Sequence, residues 1–325
     1  MDTLTKPISV PRRRTTADTV YPILLLVSVT HLLNDMMQSV IPAVYPLLKA
    51  KFGFSFAQIG LITLVFQMTS SILQPFVGRY ADRHPRPYSL AAGMCFTLAG
   101  LFALALAPGF APILLAVALI GWGSSIFHPE SSRVAQLASG GRKGLAQSIF
   151  QVGGNAGSAF GPLLAALVVI PYGQTSIMWF APAALLAIGI LLRIGNWYKR
   201  QLTAATAAPV TATAAAAELP RRKIRRALLI LTVLVFSKYF YIACMTNYFT
   251  FFLMDKFAFS VQDAQYSLFA FLAASAAGTV IGGPLGDRIG RKYVIWGSIL
   301  GAAPFALMLP YACLLYTSPS PRDRG

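Results

Sequence analysis

Residues Ala111–Ala138 read APILLAVALIGWGSSIFHPESSRVAQLA. The stretch opens as an apolar run long enough to enter a bilayer. It then carries His128, Pro129, Glu130 and Arg133 deep within that run. A charged group at this depth costs about 2.5 to 3.5 kcal/mol on insertion scales. A chain accepts that where the groups face a polar cavity or one another. Pro129 has no N–H, so the carbonyl of Ser125 is expected to lose its helical partner. Two readings stand side by side. One is a solute or proton path along a kinked helix. The other is mutual neutralisation of Glu130 and Arg133, three apart on one helix face.

The rest of the 325-residue chain places that stretch in a polytopic membrane protein. Hydrophobic residues make up 56% and charged residues 11%, with a mean hydropathy of +0.63, where soluble domains carry about 25% charge. All-α spans follow one another, near Tyr21–Leu47, Ala57–Tyr80, Tyr88–Ala107, Ala111–Ala138, Gly144–Ile170 and Ser176–Trp197. Three more follow, near Ala227–Met254, Ala264–Leu285 and Tyr293–Cys313. Each comes near or above the ~20 residues that cross hydrocarbon. Residues 1–20 read as a polar tail and 198–226 as a linker loop with an Ala/Thr-rich middle and a basic run, Arg221–Arg226.

The net charge of +17 does not point to nucleic acid, because its placement is that of loops. Lys and Arg number four before span one, three after span two and three after span four. Eight more lie around the loop between spans six and seven, and three after span eight. The opposite side holds Lys49, Lys51 and Lys256. The N-terminus and the long loop are therefore expected in the cytoplasm. Cys95, Cys244 and Cys313 sit in apolar segments without pair or metal spacing. No cofactor or metal is expected.

The chain also repeats itself. GRYADRHPR from Gly78 and GPLGDRIGR from Gly283 align, matching Gly78, Asp82, Arg83 and Arg86 with Gly283, Asp287, Arg288 and Arg291. Two equivalent halves of six spans in one orientation are a known plan for transporters. The first half is then residues 21–197, and residues 227–313 begin the second with three spans. Residues 314–325 hold prolines and charges that cannot start a tenth span. The repeat leads us to expect a fragment, with three spans missing and no transport by this stretch alone.

The loop Gly283–Lys292, with Gly290 and Arg291 in place, resembles the signature of the major facilitator superfamily. The first copy departs from it at Pro85 and Pro87. GNAGSAFGPLLAA from Gly154 is similar to the glycine–proline motif of the drug-exporting branch. HLLNDMMQS (His31–Ser39), FHPESSRVA (Phe127–Ala135), GLAQSIFQVGGN (Gly144–Asn155) and FSKYFY (Phe236–Tyr241) resemble the fosmidomycin resistance proteins. The resemblance implies a major facilitator fold and proton-driven export of a small phosphonate drug. It also implies gating loops at Gly78–Arg83 and Gly283–Arg291, and a bacterial inner (plasma) membrane as the location. The expected partners are a small-molecule substrate, protons and lipid, and the protein is expected to be a monomer.

Depth along each helix agrees with that reading. At 1.5 Å per residue, span one centres near Leu33, so His31, Asn34, Asp35 and Gln38 are central. His31 and Asp35 share a face, as do Asn34 and Gln38. His128 and Glu130 fall slightly cytoplasmic of the middle. Span five carries Gln151 and Asn155, and span seven carries Lys238, Tyr239 and Asn247. Proton coupling is assigned to Asp35, Glu130, His31 and His128. Substrate contact is assigned to Asn34, Gln38, Arg133, Gln151, Asn155, Lys238, Tyr239 and Asn247. His31–Asp35 reads either as a helix-orienting hydrogen bond or as a protonation site, since burial disfavours a charged carboxylate. Lys238 reads as a counter-ion to Asp35 or Glu130 or as an anion site. Arg133 reads as a snorkelling residue or a substrate contact. Gly153, Gly154, Gly157 and Gly161 read as a helix-packing surface. Asp82 and Asp287 are expected to meet a helix N-terminus.

Export is the leading function, and import of an organic anion by proton symport is the alternative. An enzyme is disfavoured by three histidines in all and no H-E-x-x-H. A nucleotide-driven pump is disfavoured because no G-x-x-x-x-G-K-[ST] loop occurs.

Overall fold

The computed structural model describes residues 18–206 and 221–311, which are helical throughout with short connections and no strand. The tail 314–325 and most of the tail 1–20 lie outside the described residues. Among the described residues, eight helices are long and apolar enough to cross a membrane: Tyr21–Phe52, Phe56–Arg83, Ser89–Leu106, Phe110–Leu137, Lys143–Tyr172, Gln174–Thr203, Arg222–Phe257 and Val261–Gly282. A ninth apolar helix, Lys292–Met308, is shorter. In chain order these are spans one to nine.

Local chemistry sets several boundaries. Span one bends at Val44, just before Tyr45 and Pro46 begin its last two turns. It ends at Gly53, whose φ of 68° is the left-handed region open to glycine. Span two starts in a capping box. Ser55 Oγ accepts from the Gln58 N–H at 3.2 Å, and the Ser55 N–H donates to Gln58 Oε1 at 2.9 Å. Span nine follows Gly290, at φ 98°. Pro129 does not break span four, which runs unbroken from Phe110 to Leu137. The irregular turns lie elsewhere: π-helical turns interrupt span two at Met68–Ile72 and span five at Ala165–Val169. The helix of span six continues past Trp197 to Thr206, and the basic run Arg221–Arg226 already forms the first turns of the helix Arg221–Phe257; residues 207–220 of the expected linker lie outside the described residues.

Hydrogen bonds between helix ends fix the up-and-down order. At one end, the Val20 N–H donates to the Ala138 carbonyl at 2.9 Å, and Tyr88 OH donates to Asn196 Oδ1 at 2.8 Å. These join the start of span one to the end of span four, and the start of span three to the end of span six. At the other end, Lys51 donates to Gln174 Oε1 at 2.7 Å. Gln174 Nε2 in turn donates to the carbonyls of Leu104 and Ala107. Gln265, near the start of span eight, donates to the Ala43 carbonyl at 2.7 Å, on that second side. Span eight therefore ends on the first side. The Gly78 and Gly283 segments share a face, as the repeat requires.

The core joins spans one to six in a single apolar cluster from Ile23 to Tyr198. A small second cluster, Ala159 with Leu268 and Leu272, joins span five to span eight. Span seven is exposed along residues 228–240. The tightest seam runs between spans one and five. In lipid there is no hydrophobic drive between helices, so close backbone approach has to supply the attraction. A Cβ at Gly153 would collide with the Ser28 carbonyl, at Gly157 with the Leu32 carbonyl, and at Gly161 with Ser39. Ser28 Oγ donates to the Ile149 carbonyl at 2.7 Å across the same seam. Gly157→Ala should therefore lower stability by about 1–3 kcal/mol, the range for overpacking. Gly189→Ala, where nothing lies within 4 Å of the added Cβ, should be neutral. Thermal unfolding of both variants in detergent checks the contrast.

Candidate functional site

Spans one and four bring three ionisable side chains together at mid-depth. His31 Nε2 lies 3.2 Å from Asp35 Oδ2, and His128 Nε2 lies 3.3 Å from Asp35 Oδ1. Each carboxylate oxygen therefore faces its own imidazole. His31 is almost fully buried, while Asp35 and His128 retain 17% and 26% exposure. The His31 ring stacks on Phe150 at 3.9 Å and meets His128 edge-on at 5.2 Å. Gly154 makes the room: a Cβ there would strike the His31 ring and Asp35 Oδ2.

The outer ring nitrogens settle the tautomers. His31 Nδ1 lies 2.8 Å from the Phe150 carbonyl, and His128 Nδ1 lies 3.0 Å from the Ser124 carbonyl. A carbonyl only accepts, so both Nδ1 atoms carry hydrogen and donate. Both Nε2 atoms then turn toward Asp35 with a lone pair, or with a second proton. A lone pair facing a carboxylate oxygen repels it, so each contact is favourable only with a proton in it. The cluster thus has three charge states. It is singly negative without a shared proton, neutral with one and singly positive with two.

Polar neighbours extend the cluster. Asn34 Nδ2 donates to Asp35 Oδ1 at 3.1 Å, and Ser124 Oγ donates to Gln38 Oε1 at 3.0 Å. Asn34 Oδ1 and Gln38 Nε2 are buried without a partner among the described residues. Such atoms are costly to leave unpaired and suit a water or a ligand. Further along span five, Gln151 donates to Asn155, and Asn155 donates to Thr279 of span eight at 3.0 Å.

Glu130 belongs to a different network. Arg133 Nη1 donates to Glu130 Oε1 at 2.9 Å, and Ser89 Oγ donates to Glu130 Oε2 at 3.2 Å. The same guanidinium pairs with Asp82 and donates to the carbonyls of Ala81, at 2.8 Å, and Gly78, at 3.4 Å. Arg133 thus clamps span four to the C-terminal end of span two. The two carboxylates read together from sequence are separated by the structure, Asp35 between imidazoles and Glu130 against a guanidinium.

Other sequence assignments are moved as well. Lys238 is exposed, its Nζ 5.4 Å from the centre of the Tyr239 ring, and Tyr239 is 59% exposed. No ion pair joins Lys238 to Asp35 or Glu130 among the described residues. Asn247 is buried toward the C-terminal end of span seven, accepting from Thr63 at 2.9 Å beside Tyr45. Asp82 lies in the last turn of span two, Gln74–Arg83, and not at a helix N-terminus, while Arg83 is exposed. Asp287 falls inside the helix Val261–Ile289 that continues span eight, before Arg288, which is exposed, and Arg291 opens the helix Arg291–Met308. Sequence reasoning passed over Ser124 and Ser89. Ser124 stands one helical turn before His128, a spacing that would have flagged it.

The chain belongs to the Major Facilitator Superfamily, whose family model matches residues 27–321. It is 60% identical over 303 residues to the fosmidomycin resistance protein of Escherichia coli (strain K12), covering 93% of this chain and 74% of that protein. It is 43% identical over 295 residues to the uncharacterized MFS-type transporter YfnC of Bacillus subtilis (strain 168), covering 90% and 72%. Among solved structures, a bacterial homolog of the human lysosomal transporter Spinster, inward-facing and occupied, shares the fold at TM-score 0.64 and 17% identity. The match covers 85% of this chain and 63% of that one. This chain is therefore a multi-pass membrane transporter.

Glu130 is 1% exposed, and Arg133 is its only cationic partner among the described residues. Removing one member of a buried pair leaves the other uncompensated, at about 3–5 kcal/mol. Arg133→Met should reduce stability by that order. Adding Glu130→Gln should restore much of it, measured as folded yield and unfolding temperature in a double-mutant cycle.

Proposed function

We propose that this protein exports a small phosphonate drug of the fosmidomycin type in exchange for protons. The observation that carries the coupling is Asp35 held between two imidazoles on two helices, where each contact requires a proton. The relative named for fosmidomycin resistance, at 60% identity, supplies the substrate class. Opened to the periplasm, the cluster fills with protons. Opened to the cytoplasm, it releases them, and drug takes its place through Asn34, Gln38, Gln151 and Asn155. Exchange requires drug and protons to favour opposite conformations, each by its differential affinity. The π-helical turns of spans two and five are natural points of flexure.

The charge placement supports an inner-membrane protein with a cytoplasmic N-terminus. The repeat supports a six-span half, residues 21–197, followed by the start of a second. In this reading the protein acts as a monomer and is not an enzyme. The Gly78–Arg83 segment acts as a gate through Asp82 and Arg133, and the matching segment Gly283–Arg291 serves the second half.

One observation favours a second reading, import of an organic anion by proton symport. The doubly protonated cluster is positive and attracts an anion. The two differ in the direction of flux. Inverted membrane vesicles with acid inside, carrying the full-length protein, should accumulate fosmidomycin if the protein is an exporter. A proton symporter would instead drive the drug out. Asp35→Asn should abolish uphill accumulation while leaving membrane insertion intact. Glu130→Gln should chiefly affect stability. Wild-type uphill efflux in Asp35→Asn would sink the coupling mechanism.

A further inference from the structure

We propose that His31, Asp35 and His128 form a binding site for a divalent transition-metal ion of the zinc class. Two imidazoles and a carboxylate are a donor set that zinc and its neighbours accept readily. One ligand atom from each residue lies within 4.8 Å of the others. Ligands bound tetrahedrally at about 2.0–2.2 Å from zinc are separated from one another by roughly 3.3–3.5 Å. The two nitrogen–oxygen separations are 3.2 and 3.3 Å, one to each carboxylate oxygen, so each imidazole already lies near that spacing from one oxygen of Asp35. The remaining separations in the set, all within 4.8 Å, need to close by at most about 1.5 Å on the same spacing.

The surroundings of the three residues add an independent argument. Metal-bound histidines characteristically donate their other ring N–H to a carbonyl or carboxylate, which fixes the tautomer and aims the bare nitrogen at the ion. Both histidines do this, to Phe150 and to Ser124. Asp35 is held in turn by Asn34 Nδ2. Three protein ligands leave a fourth position for water or an anion. Asn34 Oδ1 and Gln38 Nε2, buried in the same polar cluster without partners, are available to a molecule there. The partial exposure of His128 gives the ion a way in. His84, the third histidine, sits in an exposed segment beside Tyr80 and takes no part. The site rests on donor geometry and stands whether or not these groups carry protons during transport. A bound ion would occupy both lone pairs that the shared protons use, so the two exclude each other.

Cobalt(II) is the probe. Untagged, detergent-purified protein titrated with Co2+ should bind one ion per chain. It should show the intense visible bands of a low-coordinate site, and equimolar Zn2+ should bleach them. Zn2+ should also raise the unfolding temperature. His128→Gln and Asp35→Asn should each weaken binding by at least about tenfold, judged against the 10–100-fold effect of second-sphere losses, and remove the thermal shift. His84→Ala should bind as the wild type does. Wild-type protein whose Co2+ spectrum matches that of the free ion in buffer would overturn the proposal. So would low-coordinate bands that survive in both ligand variants. Vesicles that accumulate drug without any metal site refute this inference alone. A metal site in protein that moves no drug refutes the export reading alone.

Discussion

Asp35 cannot be satisfied by its own helix. Its two carboxylate oxygens reach His31, one turn back, and His128 on span four. Each imidazole has already committed its outer N–H to a backbone carbonyl, one of them on span five. The arrangement therefore ties spans one, four and five around a single carboxylate. A charge at this depth is tolerable only while those contacts hold. The number of protons in the contacts then sets the local charge, and the local charge sets which packing of the three helices is comfortable. A transporter needs that link between proton occupancy and helix position.

The glycines of span five make the cluster possible. Gly154 has no side chain where the His31 ring and Asp35 need space. Gly153 and Gly157 let the two backbones meet at the turns on either side. Packing and chemistry are thus set by one surface. The seam that supplies van der Waals attraction in lipid also presses His31 against Phe150 and brings the Phe150 carbonyl within reach of Nδ1.

Much of this was legible in the sequence, and what was not has a common cause. Span number and the depth of each polar residue follow from length, charge and a fixed rise per residue, while the superfamily rested on motif resemblance. The His31–Asp35 pair was legible because four residues make one helical turn. Azimuth was not legible, because neighbouring helices set it. His128 turns inward to Asp35, whereas Lys238, read as a counter-ion or an anion site, is exposed beside Tyr239. Glu130 looked like a partner of Asp35 by depth alone, yet its face of span four meets Arg133 and Ser89. Asp82 was misplaced because span two continues helically to Arg83, where the carbonyls of Gly78 and Ala81 accept from Arg133.

Span four carries two polar networks along one unbroken helix. His128 belongs to the central cluster, and Glu130 and Arg133 belong to the clamp on span two. The two lie within two turns of each other on a helix that Pro129 does not interrupt. A shift of span four large enough to separate His128 from Asp35 therefore also moves Arg133 relative to Gly78, Ala81 and Asp82. The contacts differ in what releases them. The central pair loosens when a proton leaves, while the clamp, built on a guanidinium that stays charged, responds only to displacement. In the proposed exchange, protonation acts at the centre, and the unbroken helix links it to the clamp on span two. The two carboxylates thus sit in different surroundings, Asp35 between two imidazoles and Glu130 against the guanidinium that joins span four to span two.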